Sequence, residues 1–257
     1  MNRKTVLITG SSSGIGYELA KVFAKNNYDL ILTARNREKL LELKEEIEQS
    51  KEVNVHIYDM DLSSQKGAIN LFESIEEDGV CIDLLINNAG VGICELFSKS
   101  SVESLENIIN LNILQLTILT RLFVHKMLER RSGNIINICS TGAYQPGPYV
   151  SVYYASKAYL RSFSQALENE LRGSGVNVMT VYPGAVKSNF SFNAGTKDLS
   201  NAMESEKVAH IIFKDYKKGR KRCIPGTMNR ISIVASKLIP GNISAKFVRK
   251  IKEKQKV

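Results

Sequence analysis

The segment that most constrains the architecture of this chain is Thr5-Val6-Leu7-Ile8-Thr9-Gly10-Ser11-Ser12-Ser13-Gly14-Ile15-Gly16. Its first five residues are apolar or β-branched, as in a buried parallel strand, and Gly10 ends that strand. The small residues that follow allow a sharp turn, and apolar spacing over 17–25 predicts a helix. Such a turn directs the unpaired N–H groups of the helix at an anion, which predicts a binding site for the phosphates of a dinucleotide.

Strand-like and helix-like segments alternate along the rest of the chain. Apolar runs with strand character occur at 29–34, 55–58, 83–86, 134–140 and 177–182. Because this alternation favours parallel strands joined by helices, we expect a parallel sheet with helices on both faces. A length of 257 residues suits one α/β domain, which we expect to span 1–257 with 214–257 as a basic C-terminal extension.

The second strand should end near the ribose of a bound dinucleotide. An acidic residue there would accept hydrogen bonds from the 2′-hydroxyl of NAD, whereas an arginine would pair with the 2′-phosphate of NADP. The chain supplies Ala34-Arg35-Asn36-Arg37 and no carboxylate, which favours NADP(H). The alternative is that the two arginines only open the highly charged helix expected over 38–48.

Tyr153 and Lys157 lie four residues apart in a segment with helical character, so their side chains share one face. A nearby ammonium favours the phenolate, and we therefore expect Lys157 to lower the pKa of Tyr153 from its usual value of about 10. The pair then predicts a tyrosine that exchanges protons near neutral pH. Tyr154 points about 100° away and is a poor substitute. A packed tyrosine beside a surface lysine is the alternative.

Together these motifs resemble the short-chain dehydrogenase/reductase family. With Thr9 in front, the turn resembles the family's Thr-Gly-x-x-x-Gly-Ile-Gly sequence, and 87–90 resembles its Asn-Asn-Ala-Gly signature. Ser140, expected to end the fifth strand, precedes Tyr153 by thirteen residues, a spacing similar to that of the family's catalytic Ser and Tyr. Residues 183–188 resemble its Pro-Gly turn, except that Ser188 stands where Thr is usual, and 143–149 resembles a bacterial branch of mostly undefined substrate.

The resemblance covers residues 5 to about 210 and implies a Rossmann-like, doubly wound parallel sheet of about seven strands. It also implies roles for four catalytic residues. Tyr153 protonates the carbonyl oxygen, Ser140 hydrogen-bonds the same oxygen, and Lys157 also holds the nicotinamide ribose. Asn112, within the apolar helical run 105–128, holds a water that relays protons toward Lys157; a helix amide satisfied by a neighbour is the alternative.

The NADP(H) contacts that the resemblance implies come from the Gly-rich turn, the ends of the following strands, the catalytic helix and the Pro-Gly turn. They are Gly10, Ser12, Ser13, Gly14, Ile15, Gly16, Arg35, Asp61, Leu62, Asn88, Ala89, Gly90, Tyr153, Lys157, Pro183, Gly184, Val186 and Ser188. The three histidines and four cysteines are scattered and suggest no metal site. We also expect the cysteines to be reduced, as in cytosolic proteins.

These observations predict an NADP(H)-dependent oxidoreductase that interconverts a carbonyl and a secondary alcohol. The substrate is a ketone, aldehyde, steroid or β-ketoacyl thioester, and a pocket of Tyr149, Phe190 and Phe192 would suit a steroid or aliphatic ketone. Residues 189–203 are expected to form a substrate lid or a plain connecting loop. The alternative function is an NADP(H)-sensing regulator without turnover. The resemblance further implies a homodimer or homotetramer.

Charge is concentrated at the C-terminal end. The chain carries a net charge of +9, but residues 214–257 carry +12 and the first 213 residues carry −3. Residues 246–252 could form a basic amphipathic helix that meets an anionic membrane surface, an acidic acyl carrier protein or, least favoured, nucleic acid; a solvated terminal helix is equally open. With no N-terminal leader and no apolar run of membrane-spanning length expected, we predict a cytoplasmic protein.

Overall fold

A parallel sheet organises the fold, and the structure, a computed structural model, describes residues 3–188, 190 and 202–255. The strands are β1 (Thr5–Thr9), β2 (Asp29–Ala34), β3 (Val55–Asp59), β4 (Leu84–Asn87), β5 (Gly133–Ile138), β6 (Val176–Val181), β7 (Val186–Lys187), β8 (Met203–Glu204) and β9 (Arg222–Cys223). Seven of them form one sheet in the order β3-β2-β1-β4-β5-β6-β9, with every neighbouring pair parallel. The predicted sheet of about seven strands is confirmed.

Helices cover both faces of this sheet. They are α1 (Gly14–Lys25), α2 (Arg37–Ser50), α3 (Gly67–Glu77), α4 (Val102–Ile109), α5 (Leu116–Glu129), α6 (Ser151–Glu170), α7 (Ser205–Lys217), α8 (Thr227–Leu238) and α9 (Gly241–Gln255), with a π-helical segment, Asn110–Gln115, joining α4 to α5. Because side chains alternate along a strand, Val6 and Ile8 pack with the core beneath α1, α2 and α7, whereas Leu7 packs with the core beneath α3 and α5. The sheet is therefore doubly wound.

The strand order reverses at β1, which lies between β2 and β4. In open α/β sheets, ligands bind outside the carboxyl ends of the strands at such a switch point. Gly10 follows β1, Arg35 follows β2 and the Asn87-Asn88 pair closes β4, so the predicted site residues share this edge.

Several strand boundaries differ from expectation by one or two residues. The fifth strand was expected to end at Ser140, but β5 ends at Ile138. The Cys139 N–H still donates to Val181 O at 2.8 Å, and Ser140 then caps a short 3₁₀ turn, Thr141–Tyr144, by accepting from the Gly142 N–H at 3.0 Å. The basic segment 214–257 contributes β9 to the sheet as well as helices beyond it.

The expectation that no apolar run is long enough to span a membrane is wrong. The continuous helical run Val102–Glu129, 28 residues long, meets that criterion by length and composition. In the fold, α5 packs against α3 and β5. Its apolar residues Leu119, Phe123 and Met127 are buried in the core, which accounts for the composition of this helix.

Gly175, just before β6, lies against the main chain of Arg131, and a substitution there tests how tightly the two segments pack. Its φ is +88°, and a side chain there would overlap the Arg131 carbonyl oxygen. We expect Gly175→Ala to lower the free energy of unfolding by about 1–2 kcal/mol for the left-handed backbone and roughly 1–3 kcal/mol more for the overlap. Gly173, with φ +80° and open space around it, is the matched control, and Gly173→Ala should show only the first effect in urea unfolding. Equal losses in the two variants would contradict the overlap.

Candidate active site

The Gly-rich turn is packed tightly between β2 and the end of β4. The Gly10 N–H donates to Thr33 O at 2.8 Å, and Gly10 has a φ of +66°. A Cβ on Gly10 would lie 2.8 Å from Ala89 Cα, and one on Gly16 would overlap the Gly10 carbonyl. Larger residues would therefore displace the turn from the sheet edge.

Asn88 and Thr9 brace this turn through four hydrogen bonds. Thr9 Oγ1 accepts from the N–H groups of Asn88 and Ala89, both at 3.0 Å. Asn88 Nδ2 donates to the carbonyl oxygens of Thr9 at 2.9 Å and Gly10 at 3.0 Å. The structure thus places the predicted cofactor residue Asn88 with its amide nitrogen directed at the turn. Thr9 was noticed in the sequence only as part of the motif, and its bridging role was missed.

The N-terminus of α1 is available to an anion. Its N-cap residue Ser13 makes no side-chain capping bond, and the first turn carries no acidic residue. Since the first N–H groups of a helix lack partners within the helix, this end presents donors and the positive end of the helix dipole. A cavity of about 500 Å³ opens beside it, lined by Ser13, Gly14, Glu18, Lys187, Ser188, Glu204, Ser205 and Glu206. The main-chain N–H groups of this helix end suit the phosphates of a dinucleotide, whereas Lys187, the cation in the cavity lining, is already paired with Glu204 at 2.6 Å.

The two arginines after β2 have different surroundings. Arg37 begins α2, and its guanidinium pairs with Asp59 at 2.8 Å. Asn36 caps the same helix by accepting from the Lys39 N–H at 2.9 Å. Arg35 is exposed and precedes the cap, two residues after Thr33, whose carbonyl holds the Gly-rich turn. Arg37 therefore opens the helix, whereas Arg35 stands beside the turn, where a 2′-phosphate would need a cation.

Asp61 and Leu62 lie after β3, where the third set of cofactor contacts was predicted. The Asp61 carboxylate accepts from the N–H of Ser63 at 2.9 Å and from its hydroxyl at 2.7 Å. Leu62 is buried in the core beneath α3. The Asp61 side chain therefore shapes the local turn.

Tyr153 and Lys157 meet at the carboxyl end of β5. The Lys157 ammonium is 5.7 Å from the centre of the Tyr153 ring and donates to Ile138 O at 2.9 Å. Lys157 is only 5% exposed, which rules out the surface-lysine alternative. A Cβ on Gly90 would lie 3.6 Å from Lys157 Nζ, so the strand end that carries the Asn-Asn-Ala-Gly signature closes over the ammonium.

Burial dominates the electrostatics of this pair. It raises the pKa of Tyr153 above its ordinary value, and the hydrogen bond with the Ser140 hydroxyl opposes that rise only in part. Burial also lowers the pKa of Lys157. The expectation that the pKa of Tyr153 lies below its usual value is therefore wrong for this structure, because loss of hydration of the buried phenolate is the largest influence on it. The phenol is protonated at neutral pH.

Asn112 lies in the π-helical segment and is 1% exposed. Its Oδ1 accepts from the Val91 N–H at 3.0 Å, and its Nδ2 donates to Val91 O at 2.9 Å and to Ser156 Oγ at 3.1 Å. The side chain is thus satisfied by neighbours, as the alternative for this residue expected. It anchors the strand end after Gly90 to α6, and this clamp supports the position of Lys157.

The Tyr153 ring faces an aromatic neighbour. Its centre is 5.3 Å from that of Phe190, and a Cβ on Gly92 would lie 3.1 Å from its Cδ2 atom. The ring of Tyr154 packs over Gly142 and also meets the Tyr153 ring in a T-shaped contact, with 6.1 Å between the ring centres. Phe192 and most of the expected lid lie outside the described residues.

Asn229 is a contact that sequence reasoning missed. Its Nδ2 donates to Pro225 O at 2.6 Å, and a side chain on Gly184 would overlap its amide group. Helix α8 therefore supports the Pro183-Gly184 turn from behind. The sequence holds no signal for this contact, because the two segments are distant in the chain and meet only through the sheet edge.

Comparison with known proteins identifies the family of this chain. Residues 4–211 match the short chain dehydrogenase family. The chain is 36% identical over 182 residues to the NADP-dependent 3-hydroxy acid dehydrogenase YdfG of Escherichia coli strain K12, covering 70% of this chain and 72% of that protein.

Two solved structures extend the comparison to three dimensions. A short-chain dehydrogenase from Sphingobium yanoikuyae in complex with NADPH superposes with a TM-score of 0.83 at 32% identity, covering 87% of this chain and 88% of that one. The bulky-bulky ketone specific alcohol dehydrogenase from Comamonas testosteroni gives 0.80 at 26% identity, covering 93% and 94%. The chain belongs to the short-chain dehydrogenase/reductase family of oxidoreductases.

Proposed function

We propose that this protein is an NADP(H)-dependent oxidoreductase that interconverts a carbonyl and a secondary alcohol. The observation that carries the proposal is the meeting of the Tyr153 phenol, the Ser140 hydroxyl and the buried Lys157 ammonium beside a dinucleotide-type Gly-rich turn. A proton donor, a hydrogen-bond donor and a cation at one strand edge suit a reaction in which a carbonyl oxygen gains negative charge.

The bound nicotinamide supplies or accepts the hydride at the substrate carbon. In the direction of reduction, Tyr153 donates its proton to the carbonyl oxygen, and Ser140 hydrogen-bonds that oxygen and orients it. The Lys157 ammonium stabilises the phenolate that remains. Asn112 holds the segment after Gly90 against α6 through its hydrogen bonds to Val91 and Ser156.

NADP(H) is favoured over NAD(H) for two reasons. Arg35 is exposed at the end of β2, while Arg37 is already paired with Asp59. The similar proteins named above include one described as NADP-dependent and one described in complex with NADPH. The predicted contacts of Ser12, Ser13, Ile15, Pro183, Val186 and Ser188 complete the proposed binding site.

For the substrate we propose a ketone, aldehyde, steroid or β-ketoacyl thioester. An apolar substrate would suit the surface between Tyr153 and Phe190. The related proteins described as a 3-hydroxy acid dehydrogenase and a bulky-bulky ketone specific alcohol dehydrogenase favour the ketone-type members of this set over the aldehydes.

The direct test follows loss of reduced-nicotinamide absorbance with NADPH and NADH in turn, over ketones, aldehydes and β-ketoacyl thioesters. Turnover with NADPH supports the proposal. The competing function is a regulator that senses NADP(H) without catalysis, and tight NADPH binding without turnover on any of these compounds would favour it. The intact Tyr153, Lys157 and Ser140 weigh against that reading.

We also propose a homodimer or homotetramer in the cytoplasm. The helices α4 to α6 expose large apolar side chains, among them Val102, Ile109, Leu114 and Tyr159. Such side chains commonly lie in subunit interfaces. Sedimentation velocity should show an assembly larger than a monomer, and a single monomer peak at micromolar concentration would contradict the proposal.

The raised pKa of Tyr153 predicts different pH profiles for the two directions. The protonated donor is present throughout the neutral range and is lost only as pH rises through the raised pKa, so reduction should stay level. Oxidation needs the phenolate, whose fraction grows about tenfold per pH unit below the pKa. Initial rates at saturating cofactor should therefore rise for oxidation over roughly pH 7 to 9. A flat oxidation profile would show that another group sets the rate.

A further inference from the structure

The two C-terminal helices carry a set of large apolar side chains that face away from the protein. Met228 is 73% exposed, Leu238 80% and Phe247 66%, so most of each side chain is in contact with solvent. We call the full set the C-terminal apolar face; it comprises Met228, Ile231, Val234, Leu238, Ile239, Ile243, Phe247 and Ile251. It lies outside the catalytic residues and is not used by the proposed reaction.

The spacing shows that this face is separate from the core. On α9, Ile243, Phe247 and Ile251 are four residues apart and share one side of the helix. The buried residues of the same helix, Ser244 and Val248, occupy a different side. Helix α8 repeats this arrangement, because Ile233 is its buried contact while its apolar neighbours are exposed. Each helix therefore packs by one side and leaves a second apolar side uncovered.

Positive charge accompanies the apolar face. Residues 227–257 contain eight Lys and Arg and one acidic residue, Glu253. That carboxylate already accepts hydrogen bonds from the Tyr149 hydroxyl and from Arg249 Nε, both at 2.8 Å. Lys246 and Lys250 are exposed and adjoin the stripe that contains Phe247. The surface therefore combines uncovered hydrocarbon with an excess of cations.

We propose that the C-terminal apolar face binds the surface of an anionic phospholipid bilayer, with α8 and α9 lying in the interfacial plane. The headgroups supply phosphates for the cations, and the upper acyl region accepts the apolar side chains. A second copy of the chain is a poorer occupant, since it would bring two strongly cationic surfaces together. Nucleic acid offers phosphates but no apolar phase for Phe247 and Leu238.

The position of α9 gives this binding a consequence for the active site. Beyond the contact between Tyr149 and Glu253, a Cβ on Gly241 would lie 3.7 Å from Pro146. The segment that contains Pro146 and Tyr149 leads directly into α6 and Tyr153. A bilayer bound to α9 would therefore adjoin the outer loop of the site, an arrangement suited to apolar substrates. Membrane binding itself does not depend on turnover.

Vesicle co-sedimentation with the full-length protein tests the proposal. The probes are vesicles of phosphatidylcholine alone and vesicles with about 30 mol% phosphatidylglycerol. We expect pelleting with the anionic vesicles, little with the neutral ones, and weaker pelleting when NaCl is raised from about 0.1 M to about 0.5 M. Absence of pelleting with anionic vesicles at low salt would overturn the proposal.

Paired variants separate the two contributions. Ile243→Gln with Phe247→Gln keeps the charge and should weaken partitioning by about a hundredfold. Lys246→Gln with Lys250→Gln keeps the apolar residues and should weaken it by about thirtyfold. The controls are Leu41→Gln, an exposed apolar residue on α2, and Lys217→Gln with Lys218→Gln, which removes the same charge from the end of α7. All substituted side chains are exposed, and unchanged unfolding temperatures would show that the variants are folded.

The proposal stands if both test variants lose vesicle binding and both controls retain it. It falls if controls and test variants lose binding equally, because general charge or stickiness would then explain the pelleting. It also falls if the Ile243 and Phe247 variant changes the sedimentation coefficient in solution while retaining vesicle binding, since a second copy would then be the occupant. A different partner would likewise be identified if the protein bound an acidic acyl carrier protein saturably while none of the variants lost vesicle binding.

Discussion

Tyr153→Phe should reduce turnover with NADPH by about 10²- to 10⁴-fold while leaving NADPH binding unchanged. The substitution removes one oxygen atom and keeps the ring, so its packing against Phe190 and Gly92 is preserved. What disappears is the proton donor that the carbonyl oxygen needs. Steady-state kinetics gives the loss in kcat, and fluorescence titration of NADPH gives the binding.

The neighbouring tyrosine is the matched control for this variant. Tyr154→Phe also removes a phenol oxygen from α6, but its ring packs over Gly142 and meets the Tyr153 ring in a T-shaped contact, with 6.1 Å between the ring centres. We expect its turnover to stay within about threefold of the parent, as for a substitution that leaves the reacting groups in place. If Tyr153→Phe retained more than a tenth of the activity, or if Tyr154→Phe lost as much, the assignment of the proton donor would be wrong.

Arg35→Ser should lower kcat/KM for NADPH by about a hundredfold and leave kcat/KM for NADH almost unchanged. Hydrogen bonds to a charged group are worth about 1.5–3 kcal/mol each, and only the 2′-phosphate of NADP(H) would receive them from Arg35. The exposed position of this residue, before the cap of α2, means that its removal should not disturb the helix. The ratio of the two kcat/KM values is the measurement that decides.

Arg37→Ser provides the comparison. Arg37 pairs with Asp59 at 2.8 Å, and both side chains are substantially exposed, so the pair contributes little to stability. We expect a change in cofactor preference of less than about threefold. A larger effect at Arg37 than at Arg35, or an equal loss for both cofactors in Arg35→Ser, would refute the role given to Arg35.

Local sequence signals were sufficient for the first six strands and for the Gly-rich turn, but not for the two-residue strands β7, β8 and β9. The first two strands have the expected bounds because each is a continuous β-branched and apolar run ended by a turn residue or a helix cap. The fifth strand ended two residues early, since Ser140 uses its hydroxyl to cap the turn after it. Short polar side chains can hydrogen-bond to the backbone and end a strand early. The pattern of apolar residues along the chain does not reveal such bonds.

Site residues whose side chains contact residues far away in the sequence were harder to assign. Asn88 and Asn112 were recognisable as motif residues, but their hydrogen bonds to Thr9, Val91 and Ser156 depend on how separate strands and helices meet. The pKa of Tyr153 was misjudged for the same reason. Spacing on one helix reports the nearby Lys157, whereas burial by other elements, which raises the pKa, comes from the whole fold.

The amino-acid sequence alone established the alternation of strands and helices, the Gly-rich turn, the arginine after β2 and the tyrosine-lysine pair, because each is written within a few adjacent residues. The assembled structure decided which of these groups are buried, which arginine is already paired, and that α8 supports the Pro183-Gly184 turn through Asn229. It also decided that the apolar side chains of α8 and α9 remain uncovered. The physical reason is that desolvation and packing depend on every element surrounding a side chain, whereas backbone preference and helical periodicity act between near neighbours.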